Sequence, residues 1–227
     1  MVRPSKKKSS SLSRRTAQRE PYELVLIVCE GSKTEPNYLE SLRDAENLSS
    51  VNIVVSGNGG SDPMSVVNDA IRLYKERAEE KNASTLYDRV YCLIDRDKHD
   101  KFEDAVQKAQ TFKHGKKSNI IRLVRSFPSF EYWYLCHFVY TRASISAKGK
   151  KSAGDVCCEQ LNVHWQKHFK KKYGKSEARI YHTLIDRLDT ALNNAQRAHK
   201  DALSTAEMNP STEMHILVDY LRQIKSQ

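Results

Sequence analysis

The chain's 227 residues suffice for one domain, or one domain with an appended lobe, and for a sizeable core. At 39% hydrophobic and 29% charged, with no stretch of transmembrane length and no apolar segment behind the N-terminal charge, the sequence argues against a membrane span or a secretory signal and for a soluble, cytoplasmic protein. The net charge of +10 is uneven: Arg3, Lys6, Lys7, Lys8, Arg14, Arg15 and Arg19 against Glu20 give +6 over residues 1–20 and leave +4 for the rest, a distribution suited to a polyanionic partner.

In chain order, residues 1–20 read as a disordered basic arm with Pro21 as its boundary. Leu24 to Cys29 is an apolar run, read as a strand buried on both faces. Thr34-Glu35-Pro36 reads as a helix start, with Thr34 as cap and Pro36 in the first turn, where its missing N–H costs little. Val51 to Val55 is a second strand, Gly57 to Ser61 a flexible turn, and Asp62-Pro63 opens a helix carrying Val66, Val67, Ala70, Ile71 and Tyr74 at helical spacing. Asp88 to Ile94 is the third strand, Lys101 to Thr111 a helix, and Asn119 to Val124 the fourth strand.

Residues 24–124 thus run βαβαβαβ, the order of a four-stranded parallel sheet flanked by helices. The chain divides into a basic arm (1–20), an α/β core (21–125) and a helical extension packed on it (126–227). In the extension, Phe130 to Tyr140 is strongly aromatic, and its helical spacing favours core packing over base stacking for Tyr132, Trp133, Tyr134 and Phe138. A last helix follows Asn209-Pro210-Ser211-Thr212, with Ser211 or Thr212 as cap. The five cysteines are an odd number and two lie in strand runs, which fits a reducing compartment.

The chemistry gathers where the first and third strands end. Glu30-Gly31 follows the first, and Asp95-Arg96-Asp97 the third. Open α/β sheets bind ligands just beyond the carboxyl ends of their strands. Clustered carboxylates repel one another unless a cation sits among them, and hard oxygen ligands favour Mg²⁺ or Mn²⁺. Glycine at position 31 lets a phosphate approach the backbone closely. No P-loop or dinucleotide fingerprint occurs. Cys157, Cys158, His164 and His168 have partial zinc spacing, but adjacent cysteines are a poor chelating pair.

The pattern of an apolar strand ending in Glu-Gly, then a later strand ending in Asp-x-Asp, resembles the Toprim domain shared by topoisomerases, primases and OLD-type nucleases. More fully, IVCEGSKTEPNY (27–38), LIDRDKH (93–99), SFPSFEYWYLCHF (126–138) and NPST (209–212) resemble the RloB family. That resemblance implies a Toprim-like fold, a nuclease role inferred from Toprim enzymes, anti-phage or abortive-infection defence, and an ABC-type ATPase encoded nearby. It implies Glu30, Asp95 and Asp97 as catalytic, metal-holding carboxylates, with Glu131 and Glu35 as further metal candidates. Phe127 stands where the family pattern has Asn.

Duller roles compete. Glu30, Asp97 and Glu35 could be helix-start acids, and Glu131 could be paired with Arg125 or Lys33. Lys33, Arg96, His99 and the arm residues Lys6, Lys7, Lys8, Arg14 and Arg15 are the candidates for contacting nucleic acid, DNA or RNA. A non-catalytic nucleic-acid-binding subunit and a primase-like enzyme are the alternatives to a nuclease. Whether the chain forms a homo-oligomer is open.

Overall fold

A computed structural model describes residues 23–55, 62–80, 86–96, 101–177 and 179–224, and of 52–55 the backbone. The arm with Lys6, Lys7, Lys8, Arg14 and Arg15, the turn 57–61, and Asp97 and His99 lie outside the described residues.

The elements in order are β1 (Val25–Cys29), α1 (Thr34–Glu46), β2 (Val51–Val55), α2 (Pro63–Glu79), β3 (Arg89–Asp95), α3 (Phe102–Thr111), β4 (Lys113–His114), β5 (Lys117–Ser118) and β6 (Ile121–Phe127). Then follow α4 (Glu131–Cys136), α5 (Ala153–Phe169), α6 (Ile180–Leu184), a 3₁₀ turn, α7 (Leu188–Thr205), β7 (Ser211–Thr212) and α8 (Met214–Ile224). The main sheet has the order β2-β1-β3-β6-β7. Its first four strands are parallel, as the apolar runs predict, and the architecture is α/β, compatible with a Toprim-like fold.

Three expectations need correcting. The fourth parallel strand begins at Ile121, not Asn119, because Asn119 is left-handed (φ 54°) and leaves the β4–β5 hairpin, itself unforeseen. Thr34 does not cap α1; it is the helix's first residue, and Lys33 precedes it without a capping side-chain bond. Ser211 and Thr212 do more than precede a helix. They pair antiparallel with Phe127 and Ser126 as a fifth strand, while Thr212 Oγ1 accepts from Met214 N (3.2 Å) at the start of α8.

β1 and the centre of β3 are apolar on both sides because each side is covered, whereas β6 keeps Arg122 exposed and Arg125 half-buried. Val25, Ile27, Cys29, Tyr91, Leu93 and Val124 pack in one layer with α1, α8 and the helices after β6. Leu26, Val28, Val90, Cys92, Ile94 and Ile121 pack under α2 and α3. Asp62 caps α2 through Met64 N (3.0 Å) and Ser65 N (3.2 Å), and Pro63 is tolerated there because its missing N–H would have no helical partner.

The aromatic stretch of α4 is core: Trp133 and Tyr134 are fully buried around Tyr38, whose ring lies 6.0 and 5.7 Å from theirs. The rings of His164 and His168 stack on Phe138. Among the described residues no helix is long and apolar enough to cross a membrane.

β1 leads through α1 to β2 on one side, and the chain then returns through α2 to β3 on the other. The gap between β1 and β3 is therefore the point at which strand order reverses, where sheets of this kind open a crevice at their carboxyl edge.

Candidate active site

Cys29, the last residue of β1, pairs with Leu93, so β3 extends two residues further to Asp95 while β1 gives way to Glu30. Glu30 and Asp95 thus flank the reversal point. The Glu30 carboxylate accepts from Asp95 N (Oε2, 3.2 Å), and the Asp95 carboxylate accepts from Phe130 N (Oδ2, 3.1 Å). The second bond ties the end of β3 to the segment that opens α4.

Glu35 folds back from the first turn of α1, and its Oε1 accepts from Gly31 N (3.2 Å). A Cβ at position 31 would lie 2.5 Å from Glu35 Oε2, so glycine leaves the space that this carboxylate fills. Glu131 opens α4, buried at 3% exposure. Its Oε2 accepts from Ser129 Oγ (2.8 Å). Its Oε1 lies 3.2 Å from Lys175 Nζ but makes no hydrogen bond. The ion pair expected with Arg125 or Lys33 is therefore with Lys175, and Arg125 instead forks onto Glu213.

These four carboxylates sense one another. Burial pushes Glu35 up to about 7, with repulsion from Glu131 and Glu30 adding to it. Burial likewise holds Asp95 well above the ordinary carboxylate range, with Glu35, Glu30 and Glu131 adding repulsion. Glu35 and Glu131 are buried and Glu30 and Asp95 half-buried, and Lys175 brings one positive charge to the group.

The donor chemistry suits Mg²⁺ or Mn²⁺: all hard oxygens, repulsion to relieve, and one buried carboxylate oxygen without a hydrogen bond. Yet among the described residues no three His, Cys, Asp or Glu side chains are drawn together closely enough to hold an ion. Glu30, Asp95 and Glu35 each spend an oxygen on a backbone N–H. Of the set, Glu30 and Asp95 are the pair that stands at neighbouring strand ends.

The other site candidates are less central. Lys33 is exposed at the start of α1. Arg96 is exposed, with its guanidinium 4.9 Å from the centre of the Phe102 ring and its N–H donating to Ser126 O (2.8 Å).

Sequence reasoning missed three contributors. Ser129 and Lys175 both serve Glu131. Glu213, just after the NPST segment, bonds the N–H and guanidinium of Arg125 and lies 3.6 Å from His199 Nε2. Ser129 stands only two residues before Glu131, whereas the Lys175–Glu131 and Arg125–Glu213 pairings join residues far apart in sequence and leave no short-range signal.

No curated protein and no solved structure matches the chain. The family model for RloB-like proteins matches residues 25–221, and it takes in both strand ends, the α4 glutamate and the β7 edge; the chain belongs to the RloB-like family.

Proposed function

We propose that this protein is a Mg²⁺- or Mn²⁺-dependent endonuclease that hydrolyses phosphodiester bonds in DNA or RNA, with Glu30, Asp95 and Asp97 as its metal-holding catalytic carboxylates. The observation that carries the proposal is the emergence of Glu30 and Asp95 from adjacent central strands on either side of the reversal point, with the Asp95 backbone N–H donating to the Glu30 carboxylate (3.2 Å). A divalent cation held there would neutralise phosphate oxygens and acidify an attacking water.

The chain's own residues do the rest. Glu30 is positioned as acid or base beside the reacting phosphate. Gly31 leaves room for the Glu35 carboxylate beside the strand end, and Glu35 and Glu131 are available as further oxygen ligands. Membership in the RloB-like family, with its resemblance to Toprim enzymes, supports the nuclease chemistry. A role in anti-phage defence, under the control of an ABC-type ATPase encoded nearby, belongs to the same proposal.

The test is cleavage of plasmid DNA and total RNA in Mg²⁺, Mn²⁺ or EDTA, with and without the neighbouring ATPase. Cutting should require metal and fall by roughly 10²-fold or more in Glu30→Gln and in Asp95→Asn, with unchanged circular dichroism. Cutting at the wild-type rate by both variants would show the site to be elsewhere. Nucleic-acid binding without cutting would mark a non-catalytic subunit, and polymerisation of labelled nucleotides a primase-like enzyme.

A further inference from the structure

Between Gln160 and Ser176 the chain carries no acidic residue, while Lys167, Lys170, Lys171, Lys172 and Lys175 fall within nine positions. All five lysines are exposed. The segment containing them is firmly held. Lys170 ends α5 in the left-handed conformation (φ 56°) and turns the chain back. Tyr173 is buried, with its ring 5.3 Å from Trp165 and 5.7 Å from Tyr134, and its N–H donates to Asn162 Oδ1 (2.8 Å). Asn37 Nδ2 donates to the carbonyl of Lys175 (3.2 Å), fastening the loop to α1. The anchors point inward and the lysines outward, except that Lys175 reaches Glu131 in the carboxylate cluster and Lys171 pairs with Glu177.

A solvated face would explain exposed lysines. It would not explain a rigid loop that leads from them into a cluster of buried acids. We propose that the loop Lys170–Lys175 is the surface that grips nucleic-acid phosphates, with Lys167 extending it along α5 and Lys175 transferring from Glu131 to the phosphate next to the site. The occupant is a polyanionic nucleic-acid strand, whose repeated phosphates complement lysines at closely spaced exposed positions. The site into which Lys175 leads is the one assigned above, so its transfer role rests on that reading; the binding surface does not.

The test is fluorescence anisotropy of the full chain with labelled DNA and RNA, single-stranded and duplex, over a series of KCl concentrations in EDTA. The basic arm contributes in every variant, so differences isolate the loop. Lys170→Gln with Lys172→Gln should weaken binding about tenfold and make the log–log salt slope shallower by about 2, and Lys175→Gln by about 1. Lys113→Gln with Lys116→Gln, on the β4–β5 hairpin beside α2, should change neither by as much. Wild-type affinity and slope in the loop variants, equal losses in the hairpin control, or binding to anionic vesicles but not to nucleic acid would overturn the proposal. Cleavage that survives Glu30→Gln and Asp95→Asn would sink the catalytic assignment alone and leave the anisotropy result standing.

Discussion

Glu30, Glu35, Asp95 and Glu131 crowd one rim of the sheet, and each leans on a different donor: Asp95 N, Gly31 N, Phe130 N, and the Ser129 hydroxyl with Lys175. Glu35 shows what that crowding costs. Unfolded, it titrates near 4.5; folded, near 7, chiefly through burial. Between those values the folded state holds a proton that the unfolded state has released. Stability contributed by Glu35 therefore falls as pH rises through this window and levels off above it. His137 and His215 act in the opposite sense: burial pushes both down to about 4, so their contribution is lost as pH falls from about 6.5 toward 4. Only the difference between a variant and wild type separates the two trends. Glu35→Gln cannot ionise, and it should be nearly neutral at pH 4.5 and more stable than wild type by about 3 kcal/mol at pH 8. Urea denaturation across this range in EDTA measures it, and a gain that does not change with pH would refute the buried, repelled carboxyl.

At the scale of elements, the carboxyl edge is finished by a strand of only two residues. β7 is fixed to β6 by the Ser126–Thr212 hydroxyl pair (3.0 Å), by Glu213 N donating to Arg125 O (3.0 Å), and by the Glu213 carboxylate on the Arg125 N–H and guanidinium. Removing that carboxylate leaves a half-buried guanidinium without its partner. Glu213→Ala should cost about 2–4 kcal/mol in thermal or urea denaturation, whereas Lys33→Ala, at an exposed position, should stay within about 0.5. A Glu213→Ala loss no larger than that of Lys33→Ala would show that the clamp contributes nothing.

The central strands β1 and β3 were legible in the sequence because burial on both faces demands apolar runs, and Leu24-Val25-Leu26-Ile27-Val28 can be little else. The α2 start was legible because Asp-Pro is a local capping signal. β7 was not, since two polar residues acquire a strand's geometry only from their partner on β6. Glu30 and Asp95 could be placed at one rim from strand ends alone. Lys175 could not, because its partner lies on another element and is reached only through tertiary packing.

Over the whole molecule, the site is jointly built. β1, α1 and β3 supply Glu30, Glu35 and Asp95; the segment after β6 supplies Glu131; the loop after α5 supplies Lys175. The aromatic layer of α4 packs on Tyr38 of α1 in the same buried cluster as the strand residues, so the two halves of the site share one core. Such a core holds the carboxylates and the loop after α5 in a fixed relation.

The most direct measurement is Mn²⁺ binding to the full chain without nucleic acid, followed by the loss of the free-ion paramagnetic resonance signal. Wild type should bind Mn²⁺ saturably, and Glu30→Gln and Asp95→Asn should each weaken it by roughly tenfold or more. A wild-type chain that leaves the free-ion signal untouched, or an Asp95→Asn variant that binds as tightly as wild type, would contradict a shared cation between these strand ends.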